Sequence, residues 1–479
     1  MPAHPAHQHG LVGIDVMSVA NELSRALPFL TVMTDPAELD CHRHDYWVLS
    51  HLDDLQERSA PPPACVVRPA NVDHVVALVQ WCSANRVAVV PFGLGSGVVG
   101  GVLARPDAIV LDMGAMNRVG AIDPENLRAS FEAGVGGLAA EQAVARCGLT
   151  IGHWPQSIAV STVGGWVATR SSGQFSTGYG NIEDIVYALD AVLPDGTVVS
   201  AGRTPRASSG PDLRQLLIGS EGTLGVITGV TLALRRAPEQ QQVSAWHVPA
   251  MAAGFAAQRE MVQSGWVPVV MRQYDAVESA RSFPDEVRAD QGLLVLVHEG
   301  PAGRVSAEKA DLANLAGRAG LEPAPESAVH HWLAHRNQVP HWNELLGKRI
   351  IVDTIEVAAP WRSIERLYAE AIAALRAVPD VINASAHSSH VYRTGINLYF
   401  SFAARPLHAE AMRDRYEACW RAVLESTLAN EGGISHHHGI GRVRRAYLER
   451  ELGHGGLALL RRIKHTIDPL GIMNPGVLL

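Results

Sequence analysis

The chain has 479 residues, 47% of them hydrophobic, which is the composition of an ordinary globular protein rather than a disordered one. Its 40 basic and 48 acidic side chains are interspersed and give a net charge of −8, so no basic stripe is offered to a phosphate backbone and nucleic-acid binding is not expected. The length exceeds what one hydrophobic core usually serves and predicts about two to three domains.

The five cysteines argue against a cross-linked or metal-stapled fold. They are widely spaced and form no C-x-x-C pair, so a reduced, cytoplasmic setting fits best. The sequence shows no signal-peptide pattern and no run near the ~18 apolar residues of a membrane span, which predicts a soluble protein. The early histidines His4, His7 and His9 belong to a segment that we expect to be a disordered tail.

The first half of the chain predicts alternating short strands and helices. A helix at 19–27 is followed, after a proline run, by a strand at 65–68, an amphipathic helix at 72–84 with Asn71 as its N-cap, and a β-branched strand at 87–90. Further strands are predicted at 108–111 and 185–193, and Asp195-Gly196 then indicates a hairpin into 197–199. The polar, proline-bearing stretch 235–242 is the predicted domain boundary.

The second half predicts longer helices over an antiparallel sheet, which is an α+β pattern. Helices are expected at 251–264, 307–319, 363–377 and 409–430, and strands at 267–270, 293–297, 350–355 and 396–402. A histidine-rich loop at 432–441, bounded by glycines, precedes the final helix.

A glycine-rich loop follows the strand at 87–90. Residues 91–101 read PFGLGSGVVGG, and Gly95 to Gly100 satisfy G-x-G-x-x-G. Pro106 and the lack of 3.6-residue periodicity argue against the helix that a Rossmann unit needs here. Backbone with so few side chains can instead wrap a diphosphate through its N–H groups, and we favour this interpretation over a merely flexible turn.

Two further segments, 153–173 and 219–228, are rich in small and hydroxylated residues. With the glycine loop, and in this order, they resemble the FAD-binding domain of the vanillyl-alcohol oxidase / p-cresol methylhydroxylase (PCMH) family, and the resemblance covers nearly the whole chain. The motifs STVGGWV at 161–167, YGNIED at 179–184 and SHHHG at 435–439 are similar to those of the alkylglycerone-phosphate synthase branch.

The resemblance implies four parts: an N-terminal segment at 1–57, a PCMH-type FAD-binding domain of two subdomains at 58–237, a substrate (cap) domain with an antiparallel sheet covered by helices at 238–430, and a C-terminal histidine loop and helix at 431–479 that return to the FAD domain. It also implies a homodimer, a small-molecule or lipid substrate and, for a lipid, peripheral contact with a membrane. The glycine loop contains no His or Cys where some relatives tether the flavin, so FAD is expected to bind noncovalently.

The same resemblance assigns residues to the cofactor. The diphosphate would be held by Pro91, Phe92, Gly93, Leu94, Gly95, Ser96 and Gly97. The flavin and its ribityl chain would be held by His153, Gln156, Ser157, Ser161, Thr162, Gly165, Thr169, Arg170, Ser171 and Ser172. The adenosine side would be held by Glu221, Gly222, Thr223, Gly225, Val226 and Ile227.

Two residues argue against a metal site. The chain also resembles the 2-hydroxy-acid dehydrogenases that share this scaffold. As that resemblance implies, those enzymes bind a divalent ion through a His, the His of a G-N-L-H motif and the Glu of a G-E-H-G-I-G motif. This chain has Tyr399 in place of the second His and His437 in place of the Glu. Tyrosine is a poor ligand for such an ion at neutral pH, so no metal is expected.

Tyr399 and His437 stand where the alkylglycerone-phosphate synthase branch, whose enzymes make ether lipids, carries the same residue types. As the resemblance implies, that enzyme exchanges the acyl group of acyl-dihydroxyacetone phosphate for a fatty alcohol through a covalent adduct at flavin N5. Such chemistry needs a general acid/base near N5, and Tyr399 is the expected one, with a phenol pKa near ~10 that an imidazole could lower.

Other side chains are expected to complete the catalytic group. His436, His437 and His438 would orient or activate the reacting groups, although three consecutive side chains cannot all point the same way and one of them is expected to be structural. Arg272 resembles the arginine that approaches the flavin from the substrate domain, and a solvated strand-end role stays open for it. His390 is expected to line the pocket, whereas His387 is expected to lie in a loop.

Departures from the branch keep a second function open. Gln156 stands where relatives have Asp, and the stretch 339–343 lacks the arginine that the resemblance associates with the substrate phosphate, since Arg336 and Arg349 are nearby but not at the matching place. An FAD-dependent dehydrogenase or oxidase of another alcohol or 2-hydroxy acid therefore remains an alternative, and a noncatalytic flavin-binding protein is the least favoured. His331 and His335 have the spacing of a zinc protease, but Trp332 occupies the place of its Glu, so a packing role is preferred.

Overall fold

The computed structural model describes residues 16–479. The segment that contains His4, His7 and His9 lies outside the described residues. The N-terminal half contains strands β1 Thr31–Met33, β2 Cys65–Arg68, β3 Ala88–Phe92, β4 Ala108–Asp112, β5 Val119–Asp123, β6 Arg128–Glu132, β7 Leu149–Thr150, β8 Val186–Val192, β9 Val198–Ala201, β10 Val226–Ala233 and β11 Arg235–Arg236. Its helices are α1 Val16–Ala26, α2 Pro36–Cys41, α3 Val48–Leu55, α4 Val72–Asn85, α5 Gly137–Ala145, α6 Val163–Thr169, α7 Ser176–Tyr179, α8 Ile182–Ile185 and α9 Arg214–Leu217.

These strands form two main sheets. One has the order β1-β2-β4-β3, in which β4 lies parallel to β2 and to β3. The other is antiparallel with the order β5-β6-β10-β8-β9. A shared apolar core joins α4 to both sheets through side chains such as Val79, Ile109 and Leu189. The predicted Asp195-Gly196 turn does connect a hairpin, between β8 and β9.

The C-terminal half adds strands β12 Gln240–Val248, β13 Val270–Tyr274, β14 Gly292–Gly300, β15 Glu322–Ala324, β16 Ile351–Pro360, β17 Val381–Ser388 and β18 Gly395–Ala404. Its helices are α10 Met251–Gln263, α11 Ala276–Ser282, α12 Ala302–Arg318, α13 Ser327–His335, α14 Trp342–Gly347, α15 Trp361–Ala377, α16 Ala411–Ala429 and α17 Leu448–Ile467. The strands form one antiparallel sheet with the order β15-β12-β14-β13-β17-β18-β16.

Side-chain alternation gives this seven-stranded sheet two different faces. On β18, Leu398, Phe400 and Phe402 enter a core that includes Leu367 of α15 and Trp420 of α16. Successive residues of a strand point to opposite faces, so residue 399 and its cross-strand neighbours lie on the face away from these helices. That face carries the candidate site.

The chain returns to the N-terminal sheet after α17. The backbone N–H of Val89 donates to Ile472 O at 2.8 Å, and that of Asn474 donates to Val89 O at 2.8 Å. Met473 is completely buried in the N-terminal core. The predicted return of the C-terminal segment is therefore present, and it places the histidine loop beside the glycine loop.

The structure differs from the predicted elements at several places. The strand expected at 267–270 begins at Val270, because Val267-Pro268 precedes it and proline cannot donate to a ladder. Residues 240–242, part of the expected boundary, already belong to β12 and pair with β14. Strand β17 was missed altogether, because Asn383-Ala384-Ser385 offers neither alternation nor β-branched side chains.

None of the described helices combines the length and the apolar character needed to cross a lipid bilayer.

Candidate active site

A row of polar side chains crosses the face of the seven-stranded sheet that lies away from α15 and α16. Tyr399 of β18 lies directly opposite Glu356 of β16 on one side and His387 of β17 on the other, and His387 in turn lies opposite Tyr274 of β13. The imidazole of His387 stacks on the Tyr399 ring with centroids 4.6 Å apart and an interplanar angle of 16°. The expectation that His387 lies in a loop was wrong, since β17 escaped prediction.

Glu356 holds the histidine loop against this row. Its carboxylate, completely buried, accepts hydrogen bonds from the backbone N–H groups of His436, His437 and His438, the last at 2.9 Å. Arg444, also completely buried, donates to Glu356 Oε1 at 2.8 Å. Burial raises the pKa of Glu356, but Arg444 and the three histidines of the loop together outweigh it and the pKa falls to about 2.

The loop completes a continuous chain of hydrogen bonds. Tyr399 Oη lies 2.6 Å from His437 Nε2, the two Nδ1 atoms of His437 and His436 are 2.8 Å apart, and His436 Nε2 lies 2.7 Å from Tyr392 Oη. Asn181 donates to the Tyr392 hydroxyl at 2.9 Å. A neutral imidazole carries one N–H, so all protons of the chain point either toward Tyr399 or toward Tyr392.

These two arrangements give Tyr399 opposite abilities. When His437 donates to the phenol, the phenolic proton is available to another group. When the phenol donates to His437, its oxygen is available to accept a proton. A concerted shift along the chain therefore converts a proton donor into a proton acceptor.

Burial keeps the members of this chain neutral. It lowers the pKa of His436 and of His437 to about 3 and that of His438 to about 4. It also raises the pKa of Tyr399 well above its usual range, and the charge of Glu356 acts in the same direction. The expectation that a neighbouring imidazole lowers the phenol pKa was wrong, because a buried neutral ring offers no charge to stabilise a phenolate.

His390 joins the same cluster from the start of the β17–β18 connection. It is 2% exposed, its Nδ1 lies 2.5 Å from Ser176 Oγ, and its ring stacks on His436 with centroids 4.9 Å apart. One nitrogen each of His390, His436 and His437 lies within 4.8 Å of the others, which is compatible with a metal ion. The absence of a metal therefore stays a prediction that needs a test. Nδ1 of His438 has no hydrogen-bond partner among residues 16–479 and lies 3.6 Å from Glu356 Oε1.

Arg272 adjoins this row on β13. Its Nη2 donates to His387 Nε2 at 2.7 Å, and His387 Nδ1 lies 2.8 Å from Glu278 Oε1, so His387 carries its proton on Nδ1. Burial raises the pKa of Glu278, but His387 and Arg281 beside it outweigh burial and hold the pKa at about 2. Arg272 is thus half-buried inside the site rather than solvated at a strand end.

The three segments assigned to the cofactor come together. A Cβ on Gly93 would lie 2.6 Å from Thr162 Oγ1, which joins the glycine loop to the 153–173 segment. Gly222, with φ +73°, packs its Cα against Pro91 so closely that a Cβ would lie 3.0 Å from the ring. The backbone N–H of Glu221 donates to Ala168 O at 2.8 Å, which joins the second segment to the third. The remaining assigned residues lie in these same three segments, which include the end of β3, helix α6 and the start of β10.

Polar atoms along these segments fit a bound flavin nucleotide. His153 is completely buried between Trp166 and Ser171, and its Nδ1 has no hydrogen-bond partner among the described residues. The hydroxyl of Ser220 and Oδ1 of Asn474 are buried and unpartnered in the same sense. Buried polar groups of this kind are normally satisfied by a ligand or water, so the cradle suits FAD.

Two of the residues assigned to the cofactor also make contacts that hold other parts of the structure in place. The carboxylate of Glu221 accepts from the backbone of Ile440 at 2.7 Å and of Gly441 at 2.8 Å, and burial raises its pKa to about 7. It therefore braces the histidine loop rather than only facing an adenosine. Gln156 is exposed, and its side-chain amide donates to Gln338 O across the gap between the two halves of the chain.

Sequence reasoning missed several residues of the site: Glu356, Tyr392, Asn181, Ser176, Glu278 and Arg444. Most of them were missed because the residues that they contact lie far away in the sequence. Asn181 did lie inside the quoted motif YGNIED, and Glu356 directly follows the strand predicted at 350–355, but neither was assigned a role.

Comparisons with known proteins agree with this geometry. Residues 63–202 match the family described as FAD binding domain, and residues 237–478 match the family described as FAD linked oxidases, C-terminal domain. The chain belongs to the FAD-linked oxidase family and binds FAD, as the motifs predict.

Individual relatives cover most of the chain. The uncharacterized FAD-linked oxidoreductase YgcU of Escherichia coli (strain K12) is 33% identical over 435 aligned residues. The match covers 87% of this chain and 89% of that protein. The alkyldihydroxyacetonephosphate synthase of Trypanosoma brucei brucei is 30% identical over 461 residues, 87% of this chain and 73% of that protein.

Solved structures confirm the predicted fold. A structure of alkyldihydroxyacetonephosphate synthase has a TM-score of 0.79 at 24% identity and covers 95% of this chain and 85% of its own. The structure of p-cresol methylhydroxylase with substrate bound has a TM-score of 0.75 at 16% identity and covers 96% of each chain. The fold is therefore the PCMH type, with a helix-covered antiparallel sheet in the second half.

Proposed function

We propose that this chain is an alkylglycerone-phosphate synthase-like transferase that exchanges the acyl group of an acylated dihydroxyacetone phosphate for a long-chain alcohol. One observation carries the proposal: the Tyr399 hydroxyl lies 2.6 Å from His437 Nε2 at the end of a buried chain of neutral rings. The 30% identity to the trypanosomal synthase supports the same choice.

The chain's own residues supply proton transfer. Tyr399 takes a proton from the carbon next to the substrate ketone while it donates its own proton to His437. Together with Tyr399, His437 and His436 hold the proton that the chain has gained, and the buried carboxylate of Glu356 beside them offsets its positive charge. The reverse shift returns that proton to the departing carboxylate. A second forward shift takes the proton of the incoming alcohol, which is then returned to the carbon.

Other residues bind and exclude water. Bound FAD, held by the glycine loop and the segments at 153–173 and 219–227, supplies an acceptor for the electron pair of the deprotonated carbon. Arg272 offers a guanidinium to an anionic or carbonyl oxygen of the substrate. His390, which is 2% exposed, and the half-buried His436 stack on each other beside α7 and limit the access of bulk water to the reacting groups.

Alcohol exchange tests the proposal directly. Purified FAD-loaded protein is incubated with palmitoyl dihydroxyacetone phosphate and hexadecanol, and products are separated by mass spectrometry. We expect ether product and free palmitate in equal amounts, without lasting reduction of the flavin. No ether product at any pH between 6 and 9 contradicts the proposal.

A second candidate is an FAD-dependent dehydrogenase or oxidase of an alcohol or 2-hydroxy acid. The 33% identity to a protein named as an FAD-linked oxidoreductase favours it. Anaerobic mixing separates the two functions, because rapid bleaching of the flavin by a hydroxy acid supports the dehydrogenase and contradicts the transferase. Noncovalent FAD, a cytoplasmic location, a homodimer and peripheral membrane contact remain part of the proposal.

A further inference from the structure

A pocket of about 240 Å³ lies where the two halves of the chain meet. Gln156 and Gln174 line it from the N-terminal half, and Arg272, Trp332 and Arg336 line it from the C-terminal half. It adjoins the catalytic row, since Arg272 donates to His387, whose ring stacks on Tyr399. A group bound to Arg272 is therefore one imidazole away from the Tyr399 ring.

Arg272 enters this pocket without an anionic partner. No carboxylate of the described residues lies within 4.0 Å of its guanidinium, and its Nε is buried with no acceptor among the residues that the structure describes. Its charge rests over the rings of Tyr274 and Trp332, 5.1 Å and 5.9 Å from their centroids. The guanidinium is thus fixed in direction, and the one carboxylate that lines the pocket, Glu278, acts on it from beyond ion-pair distance.

Arg336 directly follows α13 and is held in a similar way. Its guanidinium lies 5.0 Å from the Phe175 ring centroid, 5.2 Å from that of Trp154 and 6.0 Å from that of Trp332. Within residues 16–479 its only side-chain acceptors are the neutral amides of Gln174 at 3.2 Å and Asn337 at 3.4 Å. Arg349, by contrast, is exposed and donates to Leu407 O.

The acidic residues in and near the pocket already have other hydrogen-bond or ion-pair partners. Glu278 itself lines the pocket, but it binds His387 at 2.8 Å and also faces Arg281. Glu299 accepts from the Tyr179 hydroxyl and from Gln241 at 2.6 Å. Glu286 lies 3.6 Å from His331, which lines the pocket. Each carboxylate thus has a partner other than Arg272 or Arg336.

We infer that this pocket binds a phosphate monoester group through Arg336 and Arg272, and that Arg336 is the residue that selects for it. Two rigid guanidinium forks without carboxylate partners match the two charges and the planar oxygen pairs of a phosphoryl group. The inference rests on the proposed function for the identity of the whole substrate, and it assigns the headgroup site that residues 339–343 lack. It also explains why two cations stay unpaired in a partly buried position, where such charges are costly.

Calorimetric titration of the FAD-loaded protein with inorganic phosphate tests the site without turnover. Acetate is titrated in parallel at constant ionic strength. We expect phosphate to bind more tightly than acetate, and Arg336→Met to weaken phosphate binding at least tenfold. Arg288→Met is the matched control, because Arg288 is an exposed arginine of the same half that pairs with Glu322, and it should leave the affinity unchanged.

Two results overturn the inference. One is phosphate affinity that Arg336→Met leaves unchanged, and the other is acetate bound as tightly as phosphate. If Arg336→Met fails to fold, Arg336→Lys decides, because it keeps the charge and loses the planar fork, and we expect a measurable loss of phosphate affinity.

The outcome is separable from that of the proposed function. Phosphate binding that depends on Arg336, without any alcohol exchange, supports this site and contradicts the transferase. Alcohol exchange in which Arg336→Met leaves KM for the phosphorylated substrate unchanged supports the transferase and overturns the site. The result expected for both together is a raised KM with a smaller change in kcat.

Discussion

Replacing Glu356 with Gln removes one charge from the centre of the histidine loop while it keeps the size of the side chain. The carboxylate accepts from three successive backbone N–H groups, at His436, His437 and His438, and from Arg444. A glutamine has one acceptor oxygen, and its amide would face at least one of these donors. Arg444, completely buried, would also lose its ion-pair partner.

The size of the effect follows from that burial. Breaking a buried ion pair from one side costs about 3–5 kcal/mol, because the remaining charge is uncompensated. For a unit of about 200 residues, 1 kcal/mol corresponds to about 2–4 °C, so we expect a loss of about 6 °C or more in the melting temperature. Turnover should also fall sharply, because the His437 ring no longer keeps its place beside Tyr399.

Differential scanning fluorimetry of the FAD-loaded protein measures this change, with circular dichroism as a second probe. Glu431→Gln is the matched control, since Glu431 forms a comparable pair with Arg362 at the surface, where the side chains are 56% and 75% exposed, and it should not shift the melting temperature measurably. Glu356→Gln combined with Arg444→Met should lose less stability than Glu356→Gln alone. A melting temperature of Glu356→Gln within 1 °C of the parent would refute the reasoning.

The remaining predictions concern the proton chain, the metal question, the cofactor and pH. Tyr399→Phe should retain FAD and lower kcat by about 10²–10⁴, and Tyr392→Phe should lower it less; steady-state kinetics with flavin absorbance checks both, and full activity of Tyr399→Phe contradicts its role. Dialysis against EDTA, followed by elemental analysis, should leave activity unchanged; loss of activity with release of one metal per chain would place an ion on the histidine cluster. Acid precipitation should leave the yellow colour in the supernatant. Because burial raises the pKa of Glu221 to about 7, it should contribute stability below pH about 4.5 that is lost as the pH rises to 7, and Glu221→Gln should flatten that part of the stability curve.

The cofactor-binding half was largely predictable from the sequence. The strand, helix and strand at 65–92 follow from local patterns, and α4 begins where Asn71 caps it, with its side chain accepting from His74 N at 3.0 Å. The glycine loop needs no partner to be recognised, because the absence of side chains is itself what lets backbone approach a ligand. The order of the motifs then identifies the family from the sequence alone.

The candidate site divides differently. Tyr399 and the three histidines were found because they lie in motifs, whereas Glu356, His387 and Arg444 act through positions that only the sheet brings together. Glu356 and Tyr399 are 43 positions apart in the chain yet directly opposite in register. A strand such as β17, with small and polar residues, carries no local signal that would place His387 beside them.

The pKa values show the same limit. An isolated phenol beside an imidazole suggests a lowered pKa, but the structure raises that of Tyr399, because burial removes water from around both rings. Likewise, Arg336 does not stand at the place that the resemblance associates with the substrate phosphate. Its guanidinium is nevertheless held by the rings of Trp154 and Phe175, which lie more than 150 residues earlier in the chain. The sequence by itself determined the family, the cofactor and the residue types of the site, since these depend on local spacing. Tertiary structure decided which groups are paired, buried and neutral, because strand register and desolvation join residues that no local pattern connects.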